Sequence, residues 1–350
     1  MGFEPDYRHV VAAARNQRPR RLPLYEHIIC NEVMAATTNA RPTPDETPNE
    51  LREYYEGYCR FWRTMTYDCV SWEAGVIEIL PEHGAILGGR PGPIQNRADF
   101  ERFPFEELPE LYWQRWQPHV EALAASLLPG MKIVGGVGNG AFEISEDLVG
   151  YEHLCLMQYD DPELFAELYV TIGDLLVMLW SRMLERYGDL FAICRAGDDL
   201  GFKTATLLAP DTIIEHVVPQ HRRVIEQVHR HGKPFLLHSC GNIFSVMPAL
   251  LDAGIDAKHS NEDQIAPFTQ WIEDYNDRIG LFGGIDVDLL TRTDPKTIFD
   301  EVVRQGTRYR QAAHGFALGS GNSIPSYVPP ENYVAMVEAV QELRRREGSL

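Results

Sequence analysis

Short apolar runs alternate with stretches of helical periodicity along most of the chain. The runs lie at residues 22–25, 68–72, 132–136, 190–196, 234–238, 256–260, 279–283 and 316–319. Each is followed by an amphipathic stretch long enough for a crossover, which is the pattern of parallel strands connected by helices. Thr47-Pro48, Asp161-Pro162 and Asp294-Pro295 each set a capping side chain before a proline at the first helical position, where the missing N–H is not needed. Between residues 211 and 231, Ile214, Val217, Val218, Ile225 and Val228 fall on one face at helical spacing, and Gly232 ends the pattern. Eight strand–helix units, with extra helices near the amino end and between the third and fourth runs, predict an α/β fold of the (β/α)8 TIM-barrel type. No repeat or low-complexity tract divides the chain. Residues 1–350 are expected to form one domain, with RPTPDETP at 41–48 as a surface loop.

Charge narrows the partners. The 350 residues carry 32 Lys+Arg against 51 Asp+Glu, a net −19, which weighs against nucleic acid and anionic membranes because phosphate binding needs a basic surplus. The amino terminus shows no signal-peptide or myristoylation pattern. The most apolar stretch, residues 168–180, is interrupted by Thr171, Gly173 and Asp174 and is shorter than a membrane span of about 20 residues. Six cysteines lie scattered without a CxxC pair, as suits a reducing compartment. The expected location is the cytoplasm.

Barrel chemistry sits at the carboxyl ends of the strands. Reading just past each run gives Glu26 and His27; Glu73; the glycine-rich 135–140 with Asn139; Asp198 and Asp199; His238 and Cys240; His259 and Glu262; Asp286; and Ser320 and Asn322. His238-x-Cys240 offers an imidazole and a thiol to one borderline cation such as zinc. Two ligands do not complete a site, so Glu262 and His259 are the first candidates for a third and Glu73 the next. The bland alternative is a histidine bonded to loop backbone beside a merely buried cysteine. Of the adjacent Asp198 and Asp199, only one can face inward, and Asp198 is favoured as the acid/base or substrate anchor; about as well, one caps the following helix start and the other is solvated. Glu73 would lie against Trp72, where its pKa would rise, or equally at the rim in water. His259 completes the candidates for proton transfer, and Trp72, Asn139, Asp199, Asp286, Ser320 and Asn322 are the candidate substrate contacts. Gly136-x-Gly138-x-x-Ala141 matches a dinucleotide fingerprint only loosely, and a tight turn that lets a ligand approach the backbone is the preferred reading. His216, His221, His229 and His231 are expected at the surface.

Several blocks occur together in order: Gly197-Asp198-Asp199-Leu200-Gly201 with Leu208-Ala209-Pro210; HSCGN at 238–242 with Leu250 to Asp256; Gly283-Gly284-Ile285-Asp286; and Leu318-Gly319-Ser320-Gly321 with Pro329-Pro330-Glu331-Asn332 and Ala335-Met336. From about the third strand onward the chain resembles the uroporphyrinogen decarboxylase superfamily, which includes cobalamin-dependent methyltransferases. The resemblance implies the barrel. Its decarboxylase branch would need an arginine-rich first strand for the substrate carboxylates, whereas RLPLYEHIICNE at 21–32 offers Glu26 there, and a histidine of the last glycine loop is replaced by Ser320. The zinc methyltransferases are more similar, since they use His-x-Cys at strand five; their thiolate after strand eight is Ser320 here. The resemblance therefore implies zinc-assisted transfer of a methyl group between a small molecule and a corrinoid protein, with His238, Cys240 and Glu262 as ligands. Decarboxylation of a carboxylated ring compound, without metal, and a non-catalytic binding barrel are the alternatives.

Overall fold

A computed structural model describes residues 2–38 and 47–349. Most of the expected loop at 41–48 therefore lies outside the described residues. Seven parallel strands, β1 (Cys69–Gly75), β2 (Lys132–Gly138), β3 (Phe191–Gly197), β4 (Phe235–His238), β5 (Ala257–His259), β6 (Gly280–Ile285) and β7 (Phe316–Ser320), pair in sequential order. They form a curled, TIM-barrel-like sheet with helices packed outside.

The first apolar run departs from expectation. Residues 22–25 form a single bridge, Leu24 to Leu318, with the Tyr25 N–H on the Leu318 carbonyl at 2.9 Å and the Leu318 N–H on the Pro23 carbonyl at 3.0 Å. Pro23 has no N–H to give to a ladder. On the β1 side, side chains do the joining: the Ser71 hydroxyl and the Arg195 guanidinium both donate to the His27 carbonyl, and Arg344 links the Leu22 carbonyl, at 2.7 Å, to that of Thr66, at 2.9 Å.

Strand alternation sorts the side chains. In β1, Cys69, Ser71 and Glu73 face inward while Val70, Trp72 and Ala74 face the helices, since successive side chains point to opposite faces. Helix Arg8–Ala14 closes the amino-terminal end of the sheet, burying Val10, Ala13 and Ala14 against Val134, Ile193, Leu236, Ala257, Phe282 and Ala317. Two of the three proline starts cap as expected, Asp161 accepting from the Leu164 N–H and Asp294 from the Thr297 N–H; the Thr47 hydroxyl instead meets Glu50. The apolar stretch at 168–180 belongs to a longer helix, Pro162–Tyr187, which is long and apolar enough to cross a membrane by length and composition. More than half of its most apolar window is buried, with Leu168, Ile172, Leu176 and Leu179 in the main core.

Candidate metal centre at the strand ends

The register of β4 and β5 creates the centre. His238 pairs with His259 across the ladder, and both face inward, so the two imidazoles arrive at one level. Their Nδ1 atoms lie 2.8 Å apart, and His259 Nε2 lies 3.0 Å from the Ser320 carbonyl. His27 stacks on His238 with ring centres 3.7 Å apart and planes 8° apart. On the far side of His238, Nε2 lies 3.5 Å from Cys240 Sγ and 3.8 Å from Asp199 Oδ1. The Cys240 N–H donates to the same Asp199 oxygen at 2.8 Å, and Asn322 Nδ2 donates to the sulfur at 3.3 Å.

Among the described residues, two sets of ligand atoms lie within 4.8 Å of one another: His27, His238 and His259, and Asp199, His238 and Cys240. Ring geometry discriminates between them. An imidazole lone pair lies in its ring plane, so the stacked rings of His27 and His238 send theirs out in nearly parallel planes that do not meet at one ion. The Asp199, His238 and Cys240 set has no such conflict. Tetrahedral zinc with bonds of about 2.0–2.3 Å needs ligand atoms roughly 3.3–3.8 Å apart, and the 3.5 and 3.8 Å separations fit. The oxygen, nitrogen and sulfur donors suit a borderline cation.

Burial holds all three histidines neutral, the charges of neighbouring side chains adding to it: His27 and His238 titrate well below the usual imidazole range and His259 is lowered to about 3. Burial, with the Asp199 carboxylate beside it, pushes the Cys240 thiol up. Without a cation the sulfur keeps its proton, so metal binding would release one. Burial likewise lowers Lys258, outward-facing on β5, to about 7; its ammonium sits 3.9 Å from the centre of the Trp271 ring.

Several sequence expectations change. Asp198 is fully buried behind the centre, where it accepts from the N–H groups of Phe142 at 3.3 Å and Glu143 at 2.9 Å at the start of helix Ala141–Val149, and meets His221 Nε2 at 2.7 Å. It holds a helix end, and Asp199 is the residue at the centre. His221 is correspondingly buried rather than at the surface. Glu73 does not lie against Trp72: it pairs with Arg195 at 2.7 Å, while Trp72 faces outward and donates to the Tyr55 hydroxyl at 3.0 Å. Glu262 is outside both ligand sets. It lines a pocket of about 320 Å³ with Asn261, Asp286, Asn322 and Tyr327, above the ends of β5 to β7. Asn322 belongs both to this pocket and to the Cys240 surroundings, so the pocket adjoins the centre. Asp286 caps helix Val287–Arg292 and also holds the Asp263 N–H at 2.7 Å. A larger groove of about 510 Å³ lies between outer helices around Leu51 and Trp113, away from the strand ends.

The glycine-rich turn serves protein packing. A Cβ on Gly140 would lie 2.1 Å from the Asp198 carboxyl carbon, and one on Gly135 would strike the Trp72 carbonyl. Asn139, at positive φ, uses both ends of its amide, donating to Glu143 at 2.9 Å and accepting from the Ile77 N–H at 3.1 Å. Arg195 and Glu143 escaped the sequence reading. Arg195 had a signal, a lone cation inside the apolar run FAICRAG, whereas Glu143 stands in an ordinary amphipathic helix.

Ser320 turns away from the metal set. Its N–H donates to Glu26 Oε1 at 2.9 Å, while its hydroxyl touches Oε2 and also lies 2.6 Å from the Asn322 carbonyl. One hydroxyl proton cannot serve two acceptors. Both contacts are satisfied when Glu26 is protonated and donates to the hydroxyl, which then donates to the carbonyl. Burial, opposed by the hydrogen bonds from Ser320, raises this carboxyl from 4.5 to about 8. Between those values the folded chain holds a proton that the unfolded chain has released, so stability falls as pH rises through that window. Glu26→Gln is expected to flatten the fall. Thermal melts of both proteins from about pH 5 to pH 9 test it, and parallel curves would show an ionised Glu26 in the folded state.

Fold and site together define the class: a barrel-like parallel α/β protein with a mixed oxygen, nitrogen and sulfur donor set at the carboxyl ends of its strands. The chain belongs to the uroporphyrinogen decarboxylase (URO-D) family, whose profile matches residues 90–343. It is similar to a methylated-thiol–coenzyme M methyltransferase of Methanosarcina mazei, 26% identical over 205 residues, which are 57% of this chain and 51% of the relative. The chain thus aligns with about half the length of that curated relative. Among solved structures, a methyltransferase from Methanosarcina mazei superimposes with a TM-score of 0.72 at 16% identity, covering 97% of this chain and 99% of that one. A B12-independent methionine synthase from Shewanella sp. W3-18-1 gives 0.54 at 12% identity over 97% and 98%. These two structural likenesses concern the fold.

Proposed function

We propose that the chain is a zinc-dependent methyltransferase that moves a methyl group between a small methylated compound and a corrinoid protein, acting as one (β/α)8-type unit in the cytoplasm. The observation that carries this reading is the convergence of Asp199, His238 and Cys240 within 4.8 Å beside a pocket; the similarity to a methylated-thiol methyltransferase directs it to a thioether. Asp199, His238 and Cys240 would hold the ion, with Asp199 taking the place expected of Glu262. A bound zinc ion would supply Lewis-acid activation of the sulfur or oxygen that carries or receives the methyl group.

The rest falls to the chain's own residues. Asn322 donates to Cys240 Sγ and so favours its thiolate. The pocket bounded by Asn261, Glu262, Asp286 and Tyr327 would receive the small molecule. Decarboxylation of a polycarboxylate is less well served, because Arg195, the cation inside the sheet, is already committed to Glu73.

Protein purified without chelators is expected to retain close to one zinc per chain and to demethylate a simple methylated thiol when a corrinoid protein is supplied. Less than about 0.1 zinc per chain would sink the metal reading, since built zinc sites retain their ion. Metal without methyl transfer, together with a rise in melting temperature on adding a thiol, would favour the binding role instead.

A further inference from the structure

His238 can serve a cation through Nε2 only if that nitrogen carries a lone pair, which means its proton must sit on Nδ1. Free imidazoles prefer the opposite tautomer, so something must hold it. The hydrogen-bond partners supply the direction. The Ser320 carbonyl can only accept, so the His259 nitrogen 3.0 Å away, Nε2, is the one bearing hydrogen. His259 is fully buried, and among the described residues no carboxylate is one of its hydrogen-bond partners. A second proton would leave a buried cation without a counter-charge, which is costly. Its Nδ1 is therefore an acceptor, and the only donor that can fill the 2.8 Å contact is the Nδ1–H of His238.

The other end agrees. Nε2 of His238, left with its lone pair, faces Cys240 Sγ at 3.5 Å and Asp199 Oδ1 at 3.8 Å. The links run one way, from His238 through His259 to the Ser320 carbonyl. His27, stacked face to face on His238, fixes the tilt of the ring while the His259 bond fixes its rotation in plane.

We propose that His259, anchored on the Ser320 carbonyl, is a positioning residue that locks His238 in its Nδ1–H tautomer and so turns the Nε2 lone pair toward Cys240 and Asp199. The use of that lone pair rests on the metal reading above; the tautomer does not. Metal-binding histidines are commonly oriented by a partner on the other nitrogen, and losing that partner costs about 10- to 100-fold in metal affinity. Here the partner is a second neutral histidine, itself held by backbone.

Nitrogen-15 NMR of the metal-free wild type is expected to show His238 protonated at Nδ1 and His259 at Nε2. In His259→Phe, which keeps a ring but offers no acceptor, His238 is expected to shift to the Nε2–H form, and zinc affinity measured against a competing chelator to fall about 10- to 100-fold. His259→Asn, whose amide oxygen can accept from His238, is expected to restore most of the affinity, which a purely space-filling role for His259 would not produce. Finding His238 protonated at Nε2 in the wild type, or equal zinc affinity in wild type and His259→Phe, overturns the inference. Should the wild type take up no zinc, the metal reading falls and the wild-type tautomer alone decides this one, whether or not His259→Phe folds.

Discussion

Cys240→Ala is expected to cost more in zinc affinity and methyl transfer than any other single change at the site, beyond the roughly 100-fold that loss of a supporting contact brings. The thiol is the one sulfur in the donor set, lying 3.5 Å from His238 Nε2 and held by Asn322 from the other side. Removing it leaves an imidazole and a carboxylate, too few for a retained ion. The fold should survive, because Cys240 is only half-buried and its backbone N–H can still donate to Asp199. Zinc content, transfer rate and melting temperature measured on one preparation separate these effects. Unchanged zinc in a folded Cys240→Ala protein would remove Cys240 from the ligand set.

Arg195→Met is the second large effect, and it falls on stability. The guanidinium is fully buried inside the sheet, where it pairs with Glu73 at 2.7 Å and donates to the His27 carbonyl at 3.0 Å, to Ser71 and to the Tyr25 hydroxyl. Through those contacts it ties β3 to β1 and to the first apolar run, across the seam that lacks a ladder. Removing one member of a buried pair typically costs about 3–5 kcal/mol. The lower end is expected here, because the Glu73 side chain is 23% exposed and keeps some water. Denaturant unfolding of Arg195→Met should show that loss, and adding Glu73→Gln should recover part of it. A loss under about 1 kcal/mol would mean that the seam is held by its apolar contacts instead.

The two seam residues also indicate what the sequence could convey. Apolar periodicity reports burial, and it located every strand of the sheet to within a few residues. It does not report hydrogen bonding, so residues 22–25, as buried as a strand, were expected to be one although Pro23 already argued against a full ladder. Alternation along β3 carries more. If Arg195 faces inward, so does Gly197, and Asp198 must face out, leaving Asp199 for the centre. Trp72 and Glu73, as neighbours in one strand, could not both reach the pocket. His221 sits four residues after Val217 and four before Ile225, on the buried stripe of its own helix, which marked it as interior. Ser320 offers no thiolate, and its pairing with Glu26 joins residues 294 apart, which no local pattern carries. That Asp199 rather than Glu262 lies within a close set of ligand atoms depends on how the loop after β5 turns, with the Asn261 N–H held by the Gly321 carbonyl at 2.8 Å.

The helix Arg8–Ala14 that closes the amino-terminal end of the sheet has a bearing on traffic. With that end filled by Val10, Ala13 and Ala14, the small molecule and a corrinoid protein would share a single doorway at the strand ends. On the proposed function a macromolecule seated there would obstruct the way in, and the small molecule would have to arrive first and leave last. Initial-rate measurements should then follow a compulsory order, with excess corrinoid protein slowing turnover by trapping enzyme that has not yet been filled.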